Sequence, residues 1–338
     1  MKAMPTVSVC IANYNGMDVI DACITSVLAQ DGGFPVEIIV HDDASTDGSA
    51  QHIREKHPEI KLLESAENVG FCVANNRMAA AATGQYLLLL NNDAELHLDA
   101  LSTLCETAQT SGQPVILSLP QYNFDTGELI DIGSLLDPFL NPVPNNDPRR
   151  NEVGFVIGAC LWIPKTLWLE LGGFPEWFGS IGEDLHLCCR ARLTGHPVRA
   201  IGISGYRHRV GASFGGGKVQ QGRLSTTARR RALSERNKTF VMLLTFPLPM
   251  LLVLLPLHFS TLFLEGALLV MIKCSWRLWQ EIYAPLLPAL WRERRRLVAL
   301  RREIQAQRTA STGSFFAPFR WLPWKLKLLF RHGLPEVR

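Results

Sequence analysis

The chain lacks the cysteine spacing of a metal-bridged or disulfide-stapled protein. Its 338 residues contain no Cys-x-x-Cys pair, and the eight cysteines lie mostly within apolar or helical stretches. Such thiols are typical of buried residues in a reducing compartment, so we predict neither a zinc site nor a disulfide framework. The start of the chain also lacks the cleavage pattern of a signal peptide, because the strand-like residues 6–12 pass directly into Asn13. We therefore expect the chain to begin in the cytosol.

The chain also lacks a large excess of charge of either sign, since its formal net charge is +3. The charge is nevertheless uneven, because the N-terminal half is mixed to acidic and the last third is dense in Arg and Lys. This asymmetry predicts a basic face for membranes or anionic ligands near the C-terminus. With 47% apolar residues the chain can bury a sizeable core, which predicts one large domain plus an extension. It contains no internal repeat.

Strand-like runs alternate with helical patterns in the first part of the chain. The predicted strands cover residues 6–12, 36–40, 60–63 and 85–90, and the predicted helices between them cover residues 17–30, 49–56 and 72–82. This alternation predicts a right-handed, parallel α/β arrangement. Polar residues follow the strands, and ligands bind outside the carboxyl ends of strands in such sheets. The sequence therefore predicts a functional site at this sheet edge.

The middle of the chain is less regular. A helix is predicted to about Thr110, with strands at 115–119, 155–163 and 198–203. Residues 122–152 are rich in Asn, Asp, Pro and Gly and are predicted to form a long irregular insertion of the lid or binding-loop kind. A helix is predicted to open at Gly182-Glu183-Asp184 and to end before Gly195.

The strand at 85–90 stops on Asn91-Asn92-Asp93. A cluster of hard oxygens at a strand end can hold a divalent metal, and Asp93 is its strongest candidate ligand. The alternative is a polar turn in which Asp93 caps a helix beginning at Ala94-Glu95-Leu96.

Taken together, these strand ends resemble those of family 2 glycosyltransferases with a GT-A fold, over about residues 5–240. The motifs that carry the resemblance are Asn13-Tyr14-Asn15, Asp42-Asp43-x-Ser45-x-Asp47, Asn68-Val69-Gly70-Phe71, Asn91-Asn92-Asp93 and Glu183-Asp184. They are most similar to bacterial rhamnosyltransferase-type enzymes of surface polysaccharide assembly. The resemblance implies an α/β GT-A fold, with a mostly parallel sheet flanked by helices. We assign the catalytic domain to residues 1–238 and a helical membrane-associated region to residues 239–338.

The resemblance implies a nucleotide-sugar donor of the dTDP-rhamnose or UDP-hexose type. The donor-binding residues it implies are Asn13, Tyr14, Asn15, Asp42, Asp43, Ser45, Asp47, Asn68, Gly70, Asn75 and Asn92. Asp42 is expected to bind the base. Turn and N-cap chemistry is the alternative for Ser45 and Asp47, and an ordinary glycine turn is the alternative around Gly70.

The resemblance also implies a divalent metal, Mg²⁺ or Mn²⁺. Because the first carboxylate of the family's Asp-x-Asp pattern is an amide here, the metal would be held mainly by Asp93, donor phosphates and water. His208, in a His-x-x-Gly-x-Ser pattern, is the second candidate metal ligand, against the alternative of a satisfied or surface histidine.

Catalytic and acceptor-binding residues follow from the same resemblance. Glu183 and Asp184 match the family's Glu-Asp pair, with Asp184 as general base; favourable placement at a helix N-terminus is the alternative. Acceptor contacts are implied for Gly173, Phe174 and Trp177, against core packing. Arg230, Arg236 and Asn237 are candidates for phosphate contacts or for a solvated basic face.

The C-terminal third predicts a membrane association. Residues 239–264 carry no formal charge and are long enough to span a bilayer. Pro247, Pro249 and Pro256 interrupt this run, which predicts a kinked transmembrane hairpin or broken helices lying in the interface; a buried helical subdomain is the alternative. The basic residues 292–308 and the aromatic–cationic residues 315–327 suit anionic headgroups. The same mixture suits single-stranded nucleic acid, but the apolar run favours a membrane, and we expect no nucleic acid.

These features predict an inverting, metal-dependent glycosyltransferase at the cytoplasmic face of the bacterial inner membrane. It would be peripheral or hold a short transmembrane or re-entrant segment. Its expected acceptor is a saccharide on polyprenyl diphosphate, as in O-antigen, capsule or exopolysaccharide assembly. A nucleotidyltransferase is disfavoured because residues 13–16 lack a Gly-rich, Lys/Arg-containing triphosphate loop. A catalytically inactive, nucleotide-sugar-binding scaffold is the second alternative, since Asn91 replaces a carboxylate.

Overall fold

The computed structural model describes residues 6–209, 218–220, 223–333 and 336–337. The chain divides into two compact units. The first comprises the residues up to 134 together with 144–191 and 196–209. The second comprises 135–143, 192–195 and the residues from 210 onward.

The strands and helices are as follows. The strands are β1 Val7–Asn13, β2 Val36–Asp42, β3 Lys61–Glu64, β4 Tyr86–Asn91, β5 Ala94–Leu96, β6 Ile116–Ser118, β7 Gln121–Asn123, β8 Leu129–Asp131, β9 Ser134–Leu136, β10 Pro142–Pro144, β11 Cys160–Pro164, β12 Val198–Ala200, β13 Tyr206–His208, β14 Lys218–Gln220, β15 Arg223–Thr226 and β16 Glu336–Val337. The α-helices are α1 Ile20–Leu28, α2 Ser49–Lys56, α3 Phe71–Ala81, α4 Ala100–Thr110, α5 Lys165–Glu170, α6 Glu183–Leu193, α7 Ala228–Thr245, α8 Leu248–Lys273, α9 Trp276–Leu278, α10 Leu286–Ala306, α11 Thr312–Phe316 and α12 Trp324–His332. A 3₁₀ turn covers Glu176–Phe178, and a π-helical segment covers Trp279–Tyr283.

A seven-stranded sheet organises the first unit, in the order β12-β6-β11-β4-β1-β2-β3. Strands β1 to β4 run parallel, whereas β11 is antiparallel to both β4 and β6. This mixed, mainly parallel sheet with helices confirms the predicted fold class. The register pairs Asn13 with Asp42 and Ala12 with Asn91. Three strands therefore deliver their polar ends to one edge.

The core follows the hydrophobic pattern of the sequence. Residues 87–90 of β4 are at most 2% exposed, as expected for a strand covered on both faces. Helix α1 buries Ile20, Cys23, Ile24 and Val27, which share one face at helical spacing. Each such side chain contributes about 1.5–3 kcal/mol through its burial. All eight cysteines are free thiols, and only Cys274 among them is exposed.

The structure excludes one alternative reading and corrects one local prediction. Residues 94–96 form strand β5, so Asp93 does not cap a helix there; β5 pairs with β13 in a four-stranded sheet of order β5-β13-β7-β8. The segment 122–152 is not uniformly irregular, because it carries β8, β9, β10 and most of β7. In both places, pairing with strands distant in sequence decides the structure, and local composition does not report it.

The second unit is largely helical in the part that the structure describes. Helix α7 runs through the predicted domain boundary at residue 238, and α8 continues through Pro256 without interruption. The predicted break at Pro256 is therefore wrong, and the interruption lies between α7 and α8, beside Pro247. Pro249 is tolerated in the first turn of α8, where a backbone N–H has no helical partner.

Helix α8 is long and apolar enough to cross a membrane by length and composition, with a mean hydropathy of 1.8. Only 28% of that apolar window is buried within the structure. Its buried residues recur at three- and four-residue spacing, namely Leu251, Leu254, His258, Leu262, Gly266 and Leu269. One face of α8 therefore packs on the second unit, and the rest is an exposed apolar surface.

Candidate active site

Asn13 joins the ends of three strands in the first unit. Its side chain is almost fully buried, and its Nδ2 donates to Asp42 Oδ1 and to Ser49 Oγ, at 2.9 Å each. Its Oδ1 accepts from Asn92 Nδ2 at 2.9 Å. One amide thus links β1, the end of β2 and the residue after β4. A buried amide with filled donor and acceptor sites is held in one orientation.

This arrangement requires a glycine at position 16. A Cβ on Gly16 would lie 2.1 Å from Asn13 Oδ1 and 2.3 Å from Asn92 Nδ2. The motif Asn13-Tyr14-Asn15 does not include Gly16. Its position three residues after Asn13 is the only local signal of this close approach.

The loop after β2 is tied to the loop after β1. Asp42 Oδ2 accepts from Ser45 N, and Ser45 Oγ accepts from Asn15 N, both at 2.9 Å. Asp47 accepts from Met17 N at 2.8 Å and from Ser49 N at 3.0 Å. Ser45 and Asp47 therefore perform turn and cap chemistry, and the same bonds shape the predicted donor pocket.

Asp43 fixes the loop that precedes α3. The two carboxylate oxygens of Asp43, which is 5% exposed, accept from Val69 N at 2.7 Å and Gly70 N at 2.9 Å. Gly70 has φ 86°, a conformation that favours glycine. The structure therefore brings the predicted Asp43 and Gly70 together.

The other predicted donor residues differ in accessibility. Tyr14 is 53% exposed, and Asn15 and Asn68 are also exposed. Asn75 is buried, and its amide donates to Phe71 O within α3 at 2.9 Å. In this structure one N–H of Asn75 supports its own helix, and a donor contact would use the second N–H or Oδ1 of the amide.

Asp93 and His208, the two predicted metal ligands, lie side by side. Asp93 Oδ1 and His208 Nε2 are 3.1 Å apart, and both residues are buried. Strand β13 places His208 opposite Ala94 of β5. His208 Nδ1 lies 3.0 Å from Gln121 Nε2, and Gln121 Oε1 accepts from Tyr206 Oη at 3.2 Å. Gly211 and Ser213 of the histidine motif lie outside the described residues.

Two further side chains contact the His208 ring, Asn91 of the predicted motif and Gln121, which sequence reasoning missed. Asn91 Nδ2 is 3.3 Å from His208 Nε2, and Gln121 contacts the other ring nitrogen. Gln121 follows no recognisable motif and reaches the site only because β7 pairs with β13. These contacts fix the plane of the imidazole.

Asp93 and His208 alone cannot complete the coordination of a divalent cation. They suit a cation whose remaining ligands come from the substrate and from water. Asp93 Oδ1 is buried, and despite the proximity of His208 it accepts no aligned hydrogen bond. Within the residues that the structure describes, His, Cys, Asp and Glu form no group of three. One carboxylate and one imidazole leave most positions of a divalent ion to other oxygens, which phosphates and water supply in Mg²⁺ sites.

Asp184 and Glu183 open helix α6. Asp184 Oδ2 accepts from Gly158 N at 3.0 Å, and Oδ1 accepts from Leu185 N at 2.8 Å. Glu183 is 5% exposed, while Asp184 is more accessible. Burial raises the pKa of the nearby Cys72 thiol, and the charges of Glu183 and Asp184 raise it further. Both carboxylates of the pair therefore place negative charge near the Cys72 thiol.

The segment before α6 is held to α3 by Asn76, which sequence reasoning also missed. Asn76 donates to Phe174 O at 2.9 Å and accepts from Phe174 N at 3.0 Å. A Cβ on Gly173, which has φ 63°, would lie 2.7 Å from Asn76 Oδ1. Gly173 therefore permits this pairing.

The aromatic residues predicted at the acceptor have different environments. Phe174 is 2% exposed, with the Trp168 ring at 4.9 Å and the Phe71 ring at 6.0 Å. In this structure it packs in the core, and its faces are not open to a sugar. Trp177 is half-buried, with its ring edge-on to Phe178. Trp177 is therefore the better placed candidate for a stacking surface.

Two family models match the chain. Residues 8–168 match the model of the family described as glycosyl transferase family 2, and residues 148–290 match that of glycosyl transferase family group 2. The chain is 32% identical to the succinoglycan biosynthesis protein ExoO of Rhizobium meliloti over 217 residues, covering 61% of each chain. It is 23% identical to the N-acetylglucosaminyl-diphospho-decaprenol L-rhamnosyltransferase of Mycobacterium tuberculosis, covering 45% of this chain and 60% of that one.

A solved structure shares the fold. A mannosyltransferase from Pyrobaculum calidifontis, in complex with GDP-Man and Mn²⁺, superposes with a TM-score of 0.51 at 18% identity. The match covers 90% of this chain and 86% of that one. The first three curated relatives are matched over only 36%, 61% and 60% of their own length.

Proposed function

The chain belongs to the family 2 glycosyltransferases, and from this premise we propose that it transfers a sugar from a nucleotide-diphosphate sugar to a saccharide hydroxyl. One observation carries the proposal: Asn13, Asp42, Asn92 and Asp93 lie together at the ends of neighbouring strands of the seven-stranded sheet, and His208 of β13 lies 3.1 Å from Asp93. A donor pocket at these strand ends agrees with the general placement of ligands in α/β sheets.

The donor would be a dTDP-rhamnose or UDP-hexose type of nucleotide sugar. Asp42 is the candidate for the base, and the loops that Ser45 and Asp43 fix would line the ribose and diphosphate. Tyr14 and Asn15 are exposed beside this cluster and would contact the nucleotide from outside. Because the supporting bonds already exist within the protein, the pocket is preorganised and binding would need little ordering.

Asp93 and His208 would hold the divalent metal, Mg²⁺ or Mn²⁺. The related mannosyltransferase structure contains Mn²⁺ with a nucleotide sugar, which supports metal use at this fold. When bound, the ion would neutralise charge on the departing diphosphate. Asp93 Oδ1 is buried and accepts no aligned hydrogen bond, which fits a role as a ligand of such an ion. Since only two side chains contribute, metal affinity should rise strongly when the donor is bound.

Asp184 is the proposed general base. The two backbone N–H groups of Gly158 and Leu185 orient its carboxylate. The acceptor hydroxyl would give its proton to Asp184 while its oxygen attacks the anomeric carbon, and the nucleoside diphosphate would leave. A single displacement of this kind inverts the anomeric configuration. Glu183 would maintain the negative field, and Trp177 would contact the acceptor sugar.

The proposed acceptor is a lipid-linked saccharide on polyprenyl diphosphate, in the assembly of a cell-surface polysaccharide such as O-antigen, capsule or exopolysaccharide. The rhamnosyltransferase relative is named for an acceptor on decaprenyl diphosphate, and the ExoO relative for succinoglycan biosynthesis. The exposed apolar face of α8 supports contact with a membrane, and we assign that contact to the cytoplasmic face of the inner membrane.

The donor class and the metal are tested together by thermal stabilisation. The full chain is titrated with UDP-, dTDP- and GDP-sugars in Mn²⁺, in Mg²⁺ and in chelator. We expect one nucleotide class to raise Tm in metal and much less in chelator. The Asp93→Asn variant should lose the metal-dependent part, whereas Glu95→Gln, a carboxylate two residues further on, should keep it.

Two outcomes would oppose the proposal. Stabilisation that is equal in metal and in chelator would remove the metal from the mechanism. Donor binding with no transfer or donor hydrolysis, across a panel of saccharide acceptors, would favour the inactive scaffold, for which Asn91 in place of a carboxylate is the specific observation.

A further inference from the structure

A cavity that is open to solvent lies at the surface of the second unit, between helices α7 and α10 and the π-helical segment 279–283. Its volume is about 210 Å³, which equals the liquid volume of about seven water molecules. The gap exists because small or rigid residues occupy the facing positions: Ala232 on α7, and Pro285, Pro288 and Ala289 around the start of α10. These side chains are short or rigid and leave the space between the two helices unfilled.

The deeper wall of this cavity is apolar. Leu233, Ile282 and Leu286 line it, and Ile282 and Leu286 are themselves buried against the neighbouring core. An alkyl chain placed on these residues would remove apolar surface from water on both sides.

Two arginines line the same cavity, Arg236 from α7 and Arg292 from α10. Arg236 is half-buried, with its Nε bonded to Asn237 Oδ1 at 2.9 Å and its guanidinium 5.8 Å from the Phe240 ring centre. Burial lowers the pKa of Arg236; the charge of Glu293 opposes this shift and that of Arg292 adds to it. Two cations that disfavour each other beside apolar walls form a site that an anionic group would stabilise.

The outer surface next to the cavity has the composition of a membrane interface. Leu287 and Trp291 of α10 are 66% and 69% exposed. Leu287 directly follows the cavity residue Leu286, and Trp291 directly precedes the cavity residue Arg292. Arg294 lies over the Trp291 ring at 4.0 Å. Exposed Trp with flanking cations is typical of headgroup depth, and the cytoplasmic leaflet carries anionic lipids.

We propose that this cavity binds one anionic phospholipid of the membrane. Its phosphate would lie between Arg236 and Arg292, and the first part of an acyl chain would lie on Ile282 and Leu286. The site goes beyond the proposed glycosyl transfer and does not depend on it, because none of the residues proposed above to hold the donor, the metal or the acceptor takes part. Arg236, which the sequence analysis gave as a candidate for phosphate contacts, is here assigned to the lipid phosphate. Because this is a single site, the bound lipid would hold the second unit at the membrane surface in one orientation.

The experiment is a binding titration of the full chain with water-soluble dihexanoyl phosphatidylglycerol below its micelle concentration. We expect saturable 1:1 binding, with dihexanoyl phosphatidylcholine at least about tenfold weaker. The variant Arg236→Gln/Arg292→Gln should weaken binding by about tenfold or more, because charge-assisted contacts to phosphate are lost. The matched control Arg295→Gln/Arg302→Gln removes the same charge from exposed positions of α10 outside the cavity and should change affinity less than twofold.

A second variant tests the site without changing any charge. Ala289→Trp fills the cavity and should abolish the 1:1 binding, while a retained Tm shows that the helices still pack. The proposal is overturned if the control pair weakens binding as much as the cavity pair, or if Ala289→Trp binds normally. It is also overturned if glycerol 3-phosphate binds as well as the lipid, or if farnesyl diphosphate binds in the cavity and phosphatidylglycerol does not. The last result would identify the polyprenyl carrier as the occupant.

Discussion

Asn13 is the residue on which the proposed donor site depends most. Its buried amide satisfies partners from β2, from α2 and from the residue after β4. Buried polar groups that lose a partner cost about 1–3 kcal/mol each, so a change here would spread to every strand end it joins. Gly16 belongs to this arrangement because its missing Cβ leaves room for the two amides. Asn92 belongs to it because its Nδ2 donates to Asn13 Oδ1.

Gly16→Ala should therefore damage the donor site although it adds only a methyl group. The new Cβ must displace the Asn13 and Asn92 amides, which lie within 2.3 Å of its position. We expect a lower Tm and donor affinity reduced by about tenfold, corresponding to one lost buried hydrogen bond. Thermal unfolding and donor titration measure the two effects.

A double-mutant cycle identifies the cause. If the clash with Asn92 is responsible, Asn92→Ala should cost clearly less stability in the Gly16→Ala background than in the original chain. Additive costs would show that the two residues act independently and would refute the assigned close approach. Gly313→Ala, where the nearest atom is 3.9 Å from the added Cβ, is the benign glycine control.

At the scale of elements, the sequence predicts correctly those helices that carry local start signals and helical spacing. Helix α2 was predicted at 49–56 and is observed at Ser49–Lys56, and α6 begins at Glu183 after Gly182 as predicted. Both have short-range start signals and helical spacing. By contrast, β5 is three residues long and exists because β13, over a hundred residues later, pairs with it. No local property of residues 94–96 reports that pairing.

The residues of the site also fall into two groups: those that a sequence motif identifies, and those that only contacts between distant elements bring to the site. The resemblance implies that Asp93 and His208 serve one metal site, and the two side chains lie 3.1 Å apart. Gln121, Asn76 and Gly16 were missed because each acts through a partner on another element. Phe174 was given an acceptor role from its motif, whereas its burial between two rings assigns it to the core.

The link between β2 and the start of β4 predicts a pH dependence. Burial raises the pKa of Glu37 in β2, but hydrogen bonds from Ser8, Thr83 and Gly84 outweigh it, so the pKa lies below its ordinary value of 4.5. A depressed carboxyl pKa stabilises the fold above the unfolded value and loses that contribution as the pH falls through the folded value. We expect the free energy of unfolding to decrease as the pH falls below about 4.5.

Glu37→Gln should lower stability at pH 7 and flatten this acid dependence. Urea unfolding at pH 7 and at pH 4 measures both quantities. Glu55→Gln, on the exposed side of α2, should leave the dependence in place. An acid dependence in Glu37→Gln as steep as in the original chain would show that other carboxylates cause it.

At the scale of the whole molecule, the apolar surface of α8 predicts membrane binding. Leu252, Phe263 and Leu264 are 60–67% exposed, so changing all three to Gln should leave the fold intact. Each loses about 1.5–3 kcal/mol of apolar burial if it inserts into lipid. We expect flotation with phosphatidylglycerol-containing vesicles to fall at least about tenfold.

The matched control changes the same number of exposed apolar residues in the first unit. Leu28, Leu98 and Leu169 are 53–65% exposed, and their triple Gln variant should float as the original chain does. Equal loss in both variants would mean that surface hydrophobicity in general, and not α8, causes the association. Unchanged flotation of the α8 variant would exclude this helix as the membrane contact.

The central claim for the molecule is that a donor held at the strand ends reacts with an acceptor activated by Asp184. The most direct measurement compares sugar transfer and donor affinity in Asp184→Asn, whose side-chain oxygen can still accept from Gly158 N. Transfer should fall by about 10²- to 10⁴-fold, as for loss of a general base, while donor affinity stays within about threefold. Glu176→Gln, an exposed carboxylate near the same Cys72 thiol, should keep transfer near normal. Retained transfer in Asp184→Asn, or equal loss of transfer and donor binding, would contradict the account.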